Sequence, residues 1–247
     1  MAYFTPAKDP TALWEMHPIS APGEPGKPAP GTFRFWHGLG VGDVNGDGRL
    51  DVICTEGWWE QPEKPDGKTP WKFHRADLGP ACADMYAFDL DGDGKADILS
   101  SSAHGYGIWW HQQKAGTKGE PTFLRKDLFP KLVSQTHALH FVDINGDGLK
   151  DLVTGKRWWA HGPRGDADPN NPAVLYWFEA RRDRNKMIHF TPHVIDNDSG
   201  IGTQFVVADV NGDHLPDIVI ANKKGVFLFE QVGSPGSRPK TGTNIRQ

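Results

Sequence analysis

Several features that would assign this sequence to a familiar class are missing from it. No run approaches the roughly 20 apolar residues that would span a bilayer, and a formal net charge of −4 gives no electrostatic reason to expect nucleic acid as a partner. Cys54 and Cys82 can form at most one bridge, so there is no disulfide framework, and we interpret both as unpaired small residues. The first twenty residues lack the basic start and apolar stretch of a secretory signal, so we expect no export signal in the chain as written.

Short catalytic motifs are missing as well. The sequence contains no nucleophile elbow, phosphate-binding loop or H-E-x-x-H pair. It is rich instead in turn formers and large aromatics, with 29 Gly, 20 Pro, 10 Trp and 13 Phe. This composition is typical of many short strands joined by turns and argues against a helix bundle.

One nonapeptide pattern, D-x-[DN]-G-D-[GH]-x-x-D, occurs four times. The copies are DVNGDGRLD at 43–51, DLDGDGKAD at 89–97, DINGDGLKD at 143–151 and DVNGDHLPD at 209–217. Their spacing increases along the chain, which indicates one structural unit repeated with connecting loops of different length.

The nonapeptide offers oxygen ligands for a hard cation. Side chains at positions 1, 3, 5 and 9 and the main-chain carbonyl at position 7 can surround calcium, which takes six to eight oxygens, whereas zinc and copper favour nitrogen and sulfur. We therefore expect three or four Ca²⁺ per chain; the alternative is that the Asp and Asn residues only make Asx turns. The predicted ligands are Asp43, Asn45, Asp47, Arg49 and Asp51; Asp89, Asp91, Asp93, Lys95 and Asp97; Asp143, Asn145, Asp147, Leu149 and Asp151; and Asp209, Asn211, Asp213, Leu215 and Asp217.

Position 6 of the nonapeptide calls for a left-handed backbone. Gly48, Gly94 and Gly148 adopt positive φ without strain, whereas the fourth copy has His214 there. We expect the fourth site to be the weakest.

The residues around each loop predict strands rather than the helices of a helix-flanked calcium loop. A preceding strand a (from His37, Met85, His137 and Thr203), a following strand b (DVICT, DILSS, DLVTG and DIVIA) and an aromatic strand c (GWWEQ, IWWHQ, LYWFEA and VFLFEQ) recur in all four units. An outer strand d follows in three of them, from Trp71, Thr122 and Ile188. Four-stranded antiparallel units repeated around an axis are the blades of an all-β propeller.

The DxNGDGxxD loop between strands resembles the FG-GAP or VCBS repeat of integrin-like β-propellers. The strings HGLGVGDVNGDGRLD and GKRWWAHG are similar to those of bacterial VCBS-repeat proteins, and the resemblance extends from about Trp14 to Glu230. It implies a β-propeller with calcium loops and an extracellular or periplasmic location. Propellers of this family usually have seven blades, whereas this chain has four copies of the loop.

The edges of the repeat array leave two architectures open. The fourth unit lacks strand d, and LWEMHPI from Leu13 to Ile19 matches that strand. It either closes a four-bladed ring or completes a preceding blade of a larger propeller. We assign residues 1–232 to the propeller domain and expect 233–247 to be disordered.

Polar residues concentrate at the ends of the strands opposite the nonapeptides. Candidates for catalysis are His37, His104, His137 and Arg157, and candidates for ligand binding are Glu56, Tyr106, Lys156, Trp158, Trp159, Gln204 and Lys223. Indole faces stack on sugar rings, and Arg or Lys pairs with carboxylates, so an anionic or carbohydrate ligand fits this set.

Two functions from different classes follow. The first is a calcium-binding interaction module for carbohydrate or protein. The second is a carbohydrate lyase or dehydratase in which His37, His104 and His137 bind a transition metal such as Zn²⁺ or act as acid and base. His37 and His137 also have a purely structural explanation, which is hydrogen bonding to the backbone of a neighbouring unit.

Overall fold

The computed structural model of the chain describes residues 1–33, 37–80, 84–116 and 119–233. Cys82 and residues 234–247, most of the predicted tail, lie outside the described residues. The named elements of the described chain are β-strands and a short 3₁₀ turn at Gly162–Arg164. Its strands are β1 (Ala2–Thr5), β2 (Glu15–Pro18), β3 (Leu39–Gly42), β4 (Asp51–Cys54), β5 (Gly57–Glu60), β6 (Lys72–Arg75), β7 (Asp84–Phe88), β8 (Asp97–Ser101), β9 (Ile108–Ala115), β10 (Pro121–Asp127), β11 (Leu139–Val142), β12 (Asp151–Gly155), β13 (Leu175–Arg182), β14 (Ile188–Asp196), β15 (Phe205–Ala208), β16 (Asp217–Asn222) and β17 (Gly225–Phe229).

The strands form four antiparallel units in chain order. Unit 1 is β3–β6, unit 2 is β7–β10, unit 3 is β11–β14 and unit 4 is β15–β17. In each unit the strand before the nonapeptide pairs with the strand after it, and the aromatic strand comes next. The predicted a, b, c and d strands are therefore confirmed.

Units 1 and 2 are joined into one curled sheet by their first strands. β3 and β7 run parallel, with Leu39 opposite Asp84 and Gly40 opposite Met85. A Cβ on Gly40 would lie 2.3 Å from the carbonyl oxygen of Met85, and a Cβ on Gly42 would lie 2.5 Å from the Cβ of Ala87. Glycine is thus needed here because the two backbones approach too closely for any side chain.

The core lies between neighbouring units, and alternate residues of each second strand face opposite sides. In unit 1, Ile53 packs on Met85 and Ile98 of unit 2. In unit 3, Leu152 faces unit 2 and Val153 faces unit 4. This alternation explains why the second strands of units 1, 2 and 3 are buried along their whole length, since both of their faces are covered.

The N-terminal segment does not supply the missing strand of unit 4. β2 pairs with β1, and the Ile19 carbonyl accepts a hydrogen bond from the backbone N–H of Trp71 at 2.8 Å. Ile19 packs with Val52, Cys54 and Trp59 of unit 1. Of the two architectures left open by the sequence, closure of a ring through unit 4 by Leu13–Ile19 is not the pairing found in the described chain, because this segment pairs with β1 and packs against unit 1.

Cys54 is a buried free thiol, and burial raises its pKa to about 11, which fits the packing role expected for it. Among the described residues, no helix is long or apolar enough to cross a membrane.

Candidate functional site

All four nonapeptides fold with the same internal hydrogen bonds. In the first copy the Asp43 carboxylate accepts from the backbone N–H groups of Gly46 and Gly48, each at 2.8 Å. The first Asp of every other copy accepts from the residues three and five positions on. These are the Asx-type bonds considered in the sequence, and they hold each loop in a tight turn.

The same turns bring side-chain oxygens together. In the second copy, carboxylate oxygens of Asp89, Asp91 and Asp97 lie within 4.8 Å of one another. All of these donors are oxygens, the set that Ca²⁺ prefers, so the residues present fit a calcium ion. In the other three copies an Asn amide takes the place of Asp91.

The last Asp of each nonapeptide has a separate structural role. Asp51 and Asp151 are fully buried, and Asp151 accepts backbone N–H groups from Ile144 at 3.1 Å and from Ala180 at 2.7 Å. These bonds tie the loop to the third strand of its own unit. Burial raises the pKa of Asp97 to about 6 and that of Asp51 and Asp151 in the same direction.

Positions 6 and 7 distinguish the four copies. Gly48, Gly94 and Gly148 have φ of +84°, +85° and +89°, and His214 has φ of +69°, so the left-handed turn expected at position 6 is confirmed, together with the strained residue in the fourth copy. At position 7, Arg49 and Lys95 form ion pairs with Asp47 and Asp93. In the third copy the corresponding residue is Leu149, so Asp147 has no such pair with position 7.

At the opposite ends of the strands, histidines from three units converge. The Nε2 atoms of His37 and His104 are 3.3 Å apart. The ring centroids of His37 and His137 are 4.6 Å apart, and those of His104 and His161 are 5.0 Å apart. We call His37, His104, His137 and His161 with Arg157 and Asp166 the histidine cluster. The structure thus brings together His37, His104, His137 and Arg157, the four candidates for catalysis.

Asp166 anchors the cluster. Its side chain is 2% exposed, and its carboxylate lies 2.8 Å from His104 Nδ1 and 2.9 Å from His161 Nδ1. Burial acts to raise the pKa of Asp166, but the hydrogen bonds from His161 and His104 outweigh it and lower that pKa. Asp166 is therefore a carboxylate that orients two imidazoles.

Asp166 reaches the cluster on the inserted loop 156–172. The carbonyl of Ala167 accepts hydrogen bonds from Ser134 Oγ at 3.0 Å and from Gln135 Nε2 at 2.8 Å. Lys156 is buried, and its Nζ donates to Ser134 Oγ at 2.6 Å and to Ala167 O at 3.4 Å, while burial lowers its pKa to about 8. Lys156 thus holds the loop in place; it is not presented to a ligand as the sequence suggested.

The imidazoles and Arg157 share a confined space. Burial first, then the neighbouring His104 and Arg157, lower the pKa of His37, and burial with Arg157 lowers that of His137 to about 4. Both are neutral bases near neutral pH. Arg157 is buried, with Nη2 3.0 Å from His104 Nδ1 and an Nε that has no partner among the described residues.

The remaining candidates lie around this cluster. Lys223 Nζ donates to the carbonyls of Trp159 and Ala160 at 3.0 and 2.9 Å, and Tyr106 bonds to Asp168, so both fasten the inserted loop. Trp158 stacks on Trp159 with ring centroids 5.6 Å apart, and Lys224 lies over Trp158.

The side chains of Glu56 and Gln204 make contacts outside the histidine cluster. Glu56 accepts the N–H of Gly31 and lines a separate cleft of about 720 Å³ with Arg75 and Arg125. Gln204 Nε2 donates to the Asp84 carboxylate at 3.3 Å, which links unit 4 to unit 2. His137 Nδ1 donates to the Thr203 carbonyl at 3.0 Å, so the structural role considered for it is present too.

Sequence reasoning missed Asp166 and did not single out His161. Asp166 belongs to an RGD triplet at 164–166 that is too short to indicate adhesion, and its burial against two imidazoles removes it from the surface. Their separation by five residues, with Gly162 and Gly165 between them, was the only local signal.

Comparison with protein families gives two matches. The model of the FG-GAP-like repeat matches residues 66–154, and that of the FG-GAP repeat matches residues 35–61. No curated protein matches the chain in sequence. The matched ranges contain the first three nonapeptides, and FG-GAP repeats fit a β-propeller that serves as an interaction module. The all-β chain, with its repeated antiparallel units, is therefore an FG-GAP repeat protein.

Proposed function

We propose that this protein is a calcium-binding interaction module whose histidine cluster binds an acidic carbohydrate. The observation that carries the proposal is the convergence of imidazoles from three units on a buried arginine, with an indole pair on the adjoining loop. Guanidinium and imidazole groups donate to carboxylates, and the Trp158 and Trp159 faces suit sugar rings. An acidic carbohydrate would satisfy both sets of groups.

Calcium would act at the far ends of the strands. Residues at positions 1, 3, 5 and 9 of each nonapeptide, with the carbonyl at position 7, would hold it, and its positive charge would offset the carboxylates gathered there. We expect saturating Ca²⁺ to raise the melting temperature and EDTA to lower it, because the folded loops bind and the unfolded chain does not. Asp147→Ala should remove one ion, counted by elemental analysis. A melting temperature indifferent to calcium would contradict the calcium part alone.

The ligand is tested with a matched pair of sugars. Calorimetric titration of the calcium-loaded protein with trigalacturonate and with the neutral galactotriose compares a carboxylate with a hydroxymethyl group on the same ring. We expect binding of the acidic trimer only. Arg157→Gln should weaken it by about tenfold to a hundredfold, the usual contribution of a charged hydrogen bond.

Two further variants guard against misfolding. Arg181→Gln removes an exposed arginine paired with Glu179 on β13 and should leave affinity unchanged. Trp158→Ala alters a half-buried side chain that is not one of the buried charged groups Arg157 and Asp166, and it should weaken binding while keeping the melting temperature. Equal affinity for both trimers, or none for either, would contradict the carbohydrate proposal; in the second case a protein ligand becomes the proposal to test.

A second candidate function is uronate elimination by a lyase or dehydratase, favoured by the contact between Asp166 and His104. A carboxylate that orients an imidazole, with the neutral His37 beside it, supplies a base and a potential acid. One imidazole would take the proton from the carbon next to the carboxylate, the C–O bond to the leaving group would break as the C=C bond forms, and the leaving oxygen would gain a proton. Appearance of ultraviolet absorbance from an unsaturated uronate would support this activity. Its absence with bound trimer would leave only the binding module.

A further inference from the structure

We propose that His104, His161 and Asp166 form a binding site for a transition-metal dication such as Zn²⁺, separate from the calcium loops. One potential ligand atom from each residue lies within 4.8 Å of the other two. Two imidazole nitrogens and one carboxylate oxygen are the donors that zinc takes in three-ligand sites with an open fourth position. The trio differs from the three histidines that the sequence suggested.

The distances suit such an ion after a small adjustment. His104 Nδ1 is 2.8 Å from Asp166 Oδ1, and His161 Nδ1 is 2.9 Å from Asp166 Oδ2. Donors around a tetrahedral zinc with bonds of about 2.0–2.1 Å are roughly 3.3 Å apart. Each histidine nitrogen needs to move only a few tenths of an ångström from the Asp166 carboxylate for a metal ion to take the place of the two hydrogen bonds.

Neighbouring groups would support the ligands. With a metal on its Nδ1, His104 has its proton on Nε2, and His37 Nε2 lies 3.3 Å away as an acceptor. Metal-bound histidines regularly donate their second nitrogen in this way. His104 would then be a ligand and not a base, so this site and the elimination chemistry exclude each other at that residue.

The inserted loop is shaped to bring two of the ligands together. The 3₁₀ turn at Gly162–Arg164 lies between His161 and Asp166, and a Cβ on Gly165 would come within 2.3 Å of His161 Cβ. The Ala167 carbonyl is held by Ser134, Gln135 and Lys156, so Asp166 cannot swing away. His104 and His161 have side chains 44% and 53% exposed, which leaves access for the ion and a fourth ligand.

Arg157 determines what that fourth ligand must be. Its guanidinium lies 3.7 Å from Asp166 Oδ2, and its buried Nε has no partner in the described chain. A second positive charge here opposes a bare dication, so the metal requires an anionic oxygen that also pairs with Arg157. A carboxylate ligand of the kind proposed above satisfies both groups.

For the test, the full chain is freed of metal and then saturated with calcium. It is titrated with ZnCl₂ in acetate buffer without carbohydrate. We expect one saturable zinc site. Asp166→Asn and His161→Asn should each weaken it at least tenfold, and Gly165→Ala should weaken it by displacing His161. The control is His189→Asn, which removes an exposed histidine that contacts Asp183 at 2.8 Å but belongs to no group of three donors in the described chain.

Several outcomes would overturn the site: no saturable zinc, zinc retained in Asp166→Asn, or equal loss in His189→Asn. If the variants melt lower than the wild type, the visible absorption spectrum of Co²⁺ bound to the wild-type protein provides the test. An intense tetrahedral spectrum supports the site, and a weak octahedral spectrum overturns it. Since no sugar is present, failure here leaves the carbohydrate proposal standing, and failure of sugar binding leaves zinc binding standing.

Discussion

The two ends of the strands in this protein follow opposite rules. At one end, four nonapeptides of one pattern make the same hydrogen bonds four times. At the other end, the connections differ in every unit, and only unit 3 carries the inserted loop with Arg157, His161 and Asp166. At the nonapeptide end, the same turn connects the first two strands of every unit. The histidine cluster, in contrast, is assembled from residues that do not repeat. The nonapeptide motif thus identifies the fold, but it carries no information about the ligand that the histidine end would bind.

The largest effect should come from a buried residue of the repeat. Asp151→Ala leaves the N–H groups of Ile144 and Ala180 without a partner, which we expect to cost about 3 kcal/mol in the free energy of unfolding. The melting temperature, measured in EDTA to exclude calcium, should fall by roughly 6 to 12 °C.

The matched control is Asp147→Ala in the same nonapeptide. Asp147 is exposed, so this change should cost less than about 1 kcal/mol in EDTA while removing one calcium site. Equal losses for the two variants would show that the buried and exposed aspartates have the same role.

A second effect of about 1 to 2 kcal/mol should appear at the histidine end on acidification. The pKa of His137 is about 4 in the folded protein, against about 6.5 in the unfolded chain. Between these values the unfolded chain binds a proton that the folded protein does not, so stability falls as pH falls from about 6.5 to about 4. At the nonapeptide end, the raised pKa of Asp97 has the opposite effect, because there the folded protein holds the extra proton and stability rises as the pH falls.

Urea unfolding at pH 7 and pH 5 measures the histidine contribution. His137→Asn keeps a donor for the Thr203 carbonyl and cannot titrate, so the stability lost between the two pH values should shrink by about 1 to 2 kcal/mol. The same loss in variant and wild type would exclude His137 as its source.

The smallest effect should distinguish one loop from another. Arg49 is paired with Asp47, whereas Leu149 stands at the same position of the third copy. Arg49→Leu should tighten calcium at the first loop by roughly 0.5 kcal/mol, because a competing cation is removed. Leu149→Arg should weaken the third loop by a similar amount in calcium titrations. Unchanged affinities in both variants would show that position 7 side chains do not affect the ion.

The local sequence pattern was sufficient to predict the strands of the four units, but not to predict where the N-terminal segment packs. Alternating apolar residues beside a conspicuous turn predict β3–β17 well, because a strand is recognised from its own residues. LWEMHPI has the pattern of an outer strand but no local mark of its partner, and it pairs with β1 beside unit 1. An apolar pattern predicts that a segment is buried, but it does not predict which part of the protein packs against it.

The histidine cluster shows the same limit. Strand direction alone predicts His37, His104 and His137 at one end of the array, and in the structure their ring centroids lie within 6.3 Å of one another. Asp166 is different, because its position depends on the Ala167 carbonyl being held by Ser134 and Gln135 from a preceding connection. Such a contact has no periodicity and no motif, so it could not be inferred from residues 156–172.

The sequence by itself determined the repeat, the all-β fold, the left-handed turn at the sixth position of each loop, and the end of the strands where polar chemistry would gather. Each of these depends on residues close together in the chain, where spacing and backbone sterics decide. The tertiary structure alone decided that the N-terminal strands cover unit 1, that Lys156 is a buried support, and that Asp166 completes the histidine cluster. Those outcomes depend on which surfaces remain to be covered and which polar groups remain to be paired after the units have packed.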